Sequence, residues 1–231
     1  MNKNWKTVDR WGIKEFTLLL LLEFVGVIGG IKFGLKPLYE QWFQNELYAG
    51  TLIGLTIAVV LTLGVYFIAL RPKSLAWREV GVTPFAKKDW KMIALFSIMV
   101  MISAVILVSA MSYIGGTWEN SKTESLKQDV TFWTVFLGFV SAAIISPIYE
   151  ELFYRGFLYR WIRTRMGVTG GLLISALIFT MAHIPAYSVM PVNFVSGILF
   201  ALAYERTNSI WPSVIIHGST NGMMVLLASL S

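Results

Sequence analysis

Apolar residues along this chain come in long unbroken runs, separated by short clusters of charge. Seven runs are apparent: 16 to 35, 49 to 70, 91 to 115, 131 to 149, 170 to 187, 191 to 205 and 210 to 230. Several match the ~20 apolar residues that cross a bilayer. The pattern predicts an all-α fold, a polytopic transmembrane bundle of about seven (seven to eight) helices, because a spanning segment must satisfy its backbone hydrogen bonds internally. The fifth and sixth runs are short, and the joint I-P-A-Y-S-V-M-P between them holds two prolines. Broken or partly inserted helices are expected there, with protein covering the freed backbone groups.

Composition agrees. Of 231 residues, 56% are hydrophobic and only 14% charged, against about 25% charged in soluble domains. One integral membrane domain over 1–231 is expected, with no water-soluble domain, internal repeat or low-complexity tract. The first run lacks an A-x-A-like cleavage site and reads as a retained helix. With no cysteine, disulfides, thiolate metal sites and a cysteine nucleophile are excluded.

The net charge of +6 is explained by topology instead of nucleic acid. Assigning Lys and Arg to alternate sides puts 15 on one side and four, Lys32, Lys36, Lys122 and Lys127, on the other. The positive-inside rule then places the N-terminus in the cytoplasm and the C-terminus outside. The basic run from Arg71 to Lys91 reads as a loop against anionic lipid.

Against this background P-I-Y-E-E-L-F-Y-R-G-F-L-Y-R, Pro147 to Arg160, is unusual: two adjacent carboxylates follow an apolar run. Glu151 and Arg155 are four apart and share a helix face, while Glu150 lies about 100° round. Interfacial charges at a helix end are one reading. The histidines favour another. Both in the chain, His183 and His217, lie in apolar spans, where ionisable groups point to function.

A helical hairpin turning near Met166 and Gly167 would set Glu150 and His183 each roughly 25 Å from the turn, hence at one depth. His217 lies six residues past Trp211, about 9 Å deep if that ring marks the interface. Asn221 follows His217 by four and shares its face. A carboxylate, two imidazoles and an amide are the parts of peptide-bond hydrolysis: a base for water and donors for the oxyanion. Asn221 has a simpler reading too, as an inter-helix hydrogen bond. Glu23, inside the first run, reads as a buried carboxyl with no partner visible in the sequence. Asn193 reads as an inter-helix contact. Pro147, three before Glu150, removes a helical hydrogen bond, and Gly170 and Gly171 suit close packing.

E-E-x-x-x-R, then F-x-x-x-H, then H-x-x-x-N, on separate spans in this order, resemble the CPBP family of intramembrane proteases. That family comprises CAAX-type prenyl endopeptidases and bacterial proteins linked to bacteriocin processing and self-immunity. The resemblance covers about 130–230, the expected catalytic core, and leaves the three helices within 16–115 as accessory. It implies that Glu150 activates water with help from His183, that His217 and Asn221 bind the oxyanion, that Glu151 and Arg155 are a supporting pair, and that Phe179 shapes the pocket. The implied substrate is a membrane peptide or lipidated protein, cut near the cytoplasmic face. A non-catalytic peptide-binding or bacteriocin immunity protein would use the same cavity. Glu150, His183 and His217 also match a His₂Glu zinc set. The same residues serve a metal-free mechanism, favoured here because Asn221 suits a second oxyanion donor.

Overall fold

The computed structural model describes residues 10–113 and 130–230. Lys122, Lys127 and the last two residues of the third expected span lie outside them. Among the described residues, six helices are long and apolar enough to cross a membrane: α1 (Ile13–Phe43), α2 (Glu46–Lys73), α3 (Lys87–Tyr113), α4 (Phe132–Met181), α5 (Tyr187–Thr207) and α6 (Ile210–Leu230). The chain is an all-helical, multi-pass membrane protein. Its outer surface is apolar, with Val105 at 66% and Phe132 at 73% exposure, while Glu23, Glu151 and Arg155 are buried. That inversion is what lipid as solvent selects.

Helix α4 spans 50 residues, roughly 75 Å if straight, but Gly167 breaks it at φ 71°, ψ −175°. Only glycine adopts that region readily. The two arms, 132–166 and 168–181, fold back on each other. Tyr154 and Phe179 have ring centroids 5.0 Å apart, although twenty-five positions along a straight helix would separate them by roughly 37 Å. Their midpoint in sequence is the turn. A side chain at Gly170 or Gly171 would strike Met166 or Arg163 across it. The hairpin expected from the sequence is thus present, and its two arms restore the seventh segment.

The first arm does not stop at residue 149, as hydropathy suggested; it continues through the whole Glu150–Arg160 motif, whose Glu151, Arg155 and Arg160 are paired within the protein. Arg160 donates to the backbone and carboxylate of Glu79, and Arg163 pairs with Glu205 at 3.0 Å. Trp11 donates to the Ala69 carbonyl at 2.9 Å and Trp161 to that of Gly12 at 3.0 Å, so α1, α2 and the hairpin are joined at one end of the bundle.

The second arm is roughly 21 Å long, too short to cross the ~30 Å hydrocarbon core. The turn at 182–186 therefore needs internal partners, and it has them: His183 N donates to Thr180 O and Ala186 N to His183 O, while Lys32 Nζ donates to Ala182 O at 2.6 Å. The broken backbone expected at the I-P-A-Y joint is covered in this way.

Gly167→Ala is expected to lower stability by about 1 to 3 kcal/mol, the cost of forcing a Cβ into that region. Gly50, a helical glycine with nothing within 4 Å of a built Cβ, is the control: Gly50→Ala leaves stability unchanged or raises it by up to about 1 kcal/mol. Thermal unfolding in detergent measures both, and equal shifts would refute the hairpin argument.

Candidate active site

Small residues bring the helices close enough for short polar side chains to meet. A Cβ on Gly218 would lie 2.3 Å from the Ala143 carbonyl oxygen, and one on Gly222 would lie 2.8 Å from the Phe139 ring. This small-x-x-x-small face seats α6 against the first arm of α4. Gly197 makes a similar approach to Ala176 and Phe179, seating α5 on the second arm.

At the centre, Glu151 is fully buried. Its Oε1 accepts from Arg155 Nη1 at 2.8 Å and from His217 Nδ1 at 2.9 Å. Arg155 Nη2 donates to the Gly197 carbonyl at 3.2 Å. The guanidinium lies 4.4 Å from the Phe179 centroid and 5.1 Å from that of Phe200, where aromatic faces offset part of the desolvation. One i, i+4 pair thereby joins α4, α5 and α6.

The bond to Glu151 fixes the ring of His217. A carboxylate accepts, so Nδ1 carries the proton, and Nε2 is turned toward Glu150, 3.9 Å from its Oε2. Phe200 stacks on the imidazole at 4.7 Å and 17°. In His183, Nδ1 lies 2.8 Å from the Phe179 carbonyl; the carbonyl can only accept, so Nε2 is the free basic nitrogen. Phe179 sits between the histidines, its centroid 4.7 Å from that of His183 and 6.0 Å from that of His217. Glu150 lies within electrostatic range of His183, and its Oε2 is buried without a hydrogen-bond partner.

Asn221 Nδ2 donates to the Ala142 carbonyl at 3.1 Å. The reason lies five residues further along α4. Residues Val140–Ile145 follow the wider i→i+5 register, in which Ala142 O would accept from residue 147. Residue 147 is proline and has no N–H. Asn221 fills the vacant position, so the inter-helix bond considered for it is present. Its second N–H is still available.

The structure thus brings buried Glu151, Arg155, Phe179 and His217 together with half-buried Glu150 and His183, and Asn221 lies one helical turn beyond His217. Sequence reasoning missed Phe200, which no motif marks, and the Gly218/Gly222 face, whose G-x-x-x-G spacing was legible. It also missed the His217–Glu151 bond. The zinc donor set is chemically present, but among the described residues no group of three or more His, Cys, Asp and Glu is arranged to hold a metal ion. No step is therefore routed through one.

Comparison with known proteins finds one family model and several relatives. Residues 131–223 match the family model described as Type II CAAX prenyl endopeptidase Rce1-like. The membrane-embedded CAAX protease MroQ of Staphylococcus aureus is 31% identical over 148 residues, 62% of this chain and 58% of that protein. The UPF0177 proteins YaiH and YbdI of Lactococcus lactis are each 26% identical, YaiH over 38% of this chain and 36% of its own length and YbdI over 47% and 57%. The chain spans about half the length of the curated relatives it matches. No solved structure matches it.

Removing one partner of the central pair leaves a buried charge. Arg155→Ala is expected to destabilise by about 3 to 5 kcal/mol, and Arg155→Met with Glu151→Met to recover much of that, since apolar replacement of both ions restores balance. Unfolding in detergent checks this. An Arg155→Ala protein that melts like the parent would assign the arginine to substrate instead.

Proposed function

We infer, from the match of residues 131–223 to the Rce1-like CAAX prenyl endopeptidase model, that the chain is an intramembrane endopeptidase acting on a membrane-associated peptide or lipidated protein. The observation that carries the reading is the buried, unpartnered Oε2 of Glu150 beside His217 Nε2. Water held there meets a base on one side and a donor on the other.

Glu150 takes a proton from the water as its oxygen attacks the scissile carbonyl carbon, and His183 Nε2 orients that water. The carbonyl oxygen becomes an oxyanion that accepts from His217 Nε2 and from the second N–H of Asn221. With Nδ1 on Glu151, His217 donates at Nε2 only as imidazolium. The C–N bond then breaks, and Glu150 returns its proton to the leaving amine. The charge asymmetry supports a cytoplasmic N-terminus and cleavage near the cytoplasmic face.

Peptide ends in membranes of cells expressing the parent chain or Glu150→Gln provide the test. Membrane-protein termini present only with the parent are expected, with Glu150→Gln folded and expressed normally; identical sets of termini would exclude proteolysis and favour peptide capture. Single cysteines near Lys88 and Lys122 should be labelled from the cytoplasm only and from outside only, respectively; the reverse would move the site to the other face.

In purified protein, activity should survive chelation. His217→Ala should lose about 10² to 10³ in rate, as for one oxyanion donor, while Glu150→Gln and His183→Ala lose all. Activity that follows removal and return of stoichiometric zinc would overturn this mechanism.

A further inference from the structure

Helix α1 lies outside the residues matched by the family model, yet it carries a carboxyl into the site. Glu23 is 2% exposed. Its Oε1 accepts from the Tyr154 hydroxyl at 2.9 Å, and its Oε2 is buried without a protein partner. Tyr154 follows Glu150 by one turn of α4, and its ring packs edge-on against Phe179 at 5.0 Å. The charged and titratable groups that Glu23 faces are Tyr154, Lys32, Glu150 and Tyr149.

Lys32, on the same helix, reaches the other side of the site and donates to the carbonyl of Ala182, next to His183. Nine residues are about two and a half turns of α-helix, which would put Glu23 and Lys32 on opposite faces. Leu22–Leu35 instead follows the i→i+5 register, which takes more residues per turn and brings the two onto one face. Widened turns of this kind recur at functional sites. One helix face thus grips the Glu150 arm at Tyr154 and the His183 turn at Ala182.

We propose that Glu23 is a positioning residue of the active site, acting through the Tyr154 hydroxyl to fix the helix face that presents Glu150. This rests on the proteolytic reading for its consequence but not for its geometry. The test has two arms, both on the purified full chain in detergent.

In the first, Glu150→Cys supplies the sole thiol, since the chain has no cysteine, and its alkylation rate by N-ethylmaleimide is measured alone and with Glu23→Leu, Tyr154→Phe or both. Each single change is expected to alter the rate several-fold, and the pair to add nothing, because both remove one bond. An unaltered rate, or independent effects that multiply, overturns the proposal. No substrate is needed, so this arm decides even if proteolysis fails.

In the second, cleavage of quenched fluorescent peptides with and without a farnesylated cysteine is followed. Glu23→Leu and Tyr154→Phe should each lower kcat about ten-fold with KM unchanged, the worth of one buried hydrogen bond. Glu23→Gln, which keeps an acceptor for the hydroxyl, should retain most activity. Loss of activity in Glu23→Gln equal to that in Glu23→Leu, or a rise in KM with kcat unchanged, would overturn a positioning role. Tyr154→Phe deletes one atom, so it keeps the arm informative if Glu23→Leu does not fold.

Discussion

The Glu151–Arg155 ion pair is the interaction on which the site depends. Neither ion is stable alone at this depth, because removing a carboxylate or guanidinium from water costs several kcal/mol. Each makes a further hydrogen bond within the protein, and those secondary bonds build the site. Glu151 orients His217; Arg155 reaches the Gly197 carbonyl and lies against Phe179 and Phe200. A pair local to one helix turn thus fixes a second helix through a ring nitrogen and a third through a backbone oxygen.

Close approach makes those bonds possible. Without Gly218 and Gly222, α6 would stand too far from α4 for His217 to reach Glu151, and without Gly197 the carbonyl that receives Arg155 would be displaced. Pro147 adds a second device: by withholding an N–H it leaves Ala142 O for Asn221. Asn221 therefore has a structural bond and a spare donor, and the two readings of it are compatible. The adjacency of Glu150 and Glu151 also acquires a reason. Residues one apart point about 100° away from each other on a helix, so Glu151 can hold Arg155 and His217 through its Oε1 while Glu150 turns its Oε2 toward the other ring nitrogen of His217.

The part of the bundle outside 131–223 is more than a lipid-facing wall. Trp11, Glu23 and Lys32 each bond across to another membrane helix or to the turn beside His183. Two of those bonds need a helix register that spacing rules based on 3.6 residues per turn do not anticipate.

Several features followed from the sequence alone. Long apolar runs can be only helices in lipid, so the all-α bundle was legible. The hairpin was too, because equal spacing of Glu150 and His183 from Gly167 is simple helical arithmetic; so was the Glu151–Arg155 pair, because i, i+4 geometry is local. Tertiary structure decided what depends on helices meeting. That His217 bonds Glu151, that Asn221 serves Ala142, that Phe200 stacks on an imidazole and that Glu23 has Tyr154 as partner are contacts between residues 17 to 131 positions apart. Hydropathy sees such residues only as polar or aromatic interruptions, since periodicity carries no information about which faces of different helices are in contact. The i→i+5 segments were hidden for a related reason: a widened turn depends on what packs against it, and only the assembled bundle supplies that.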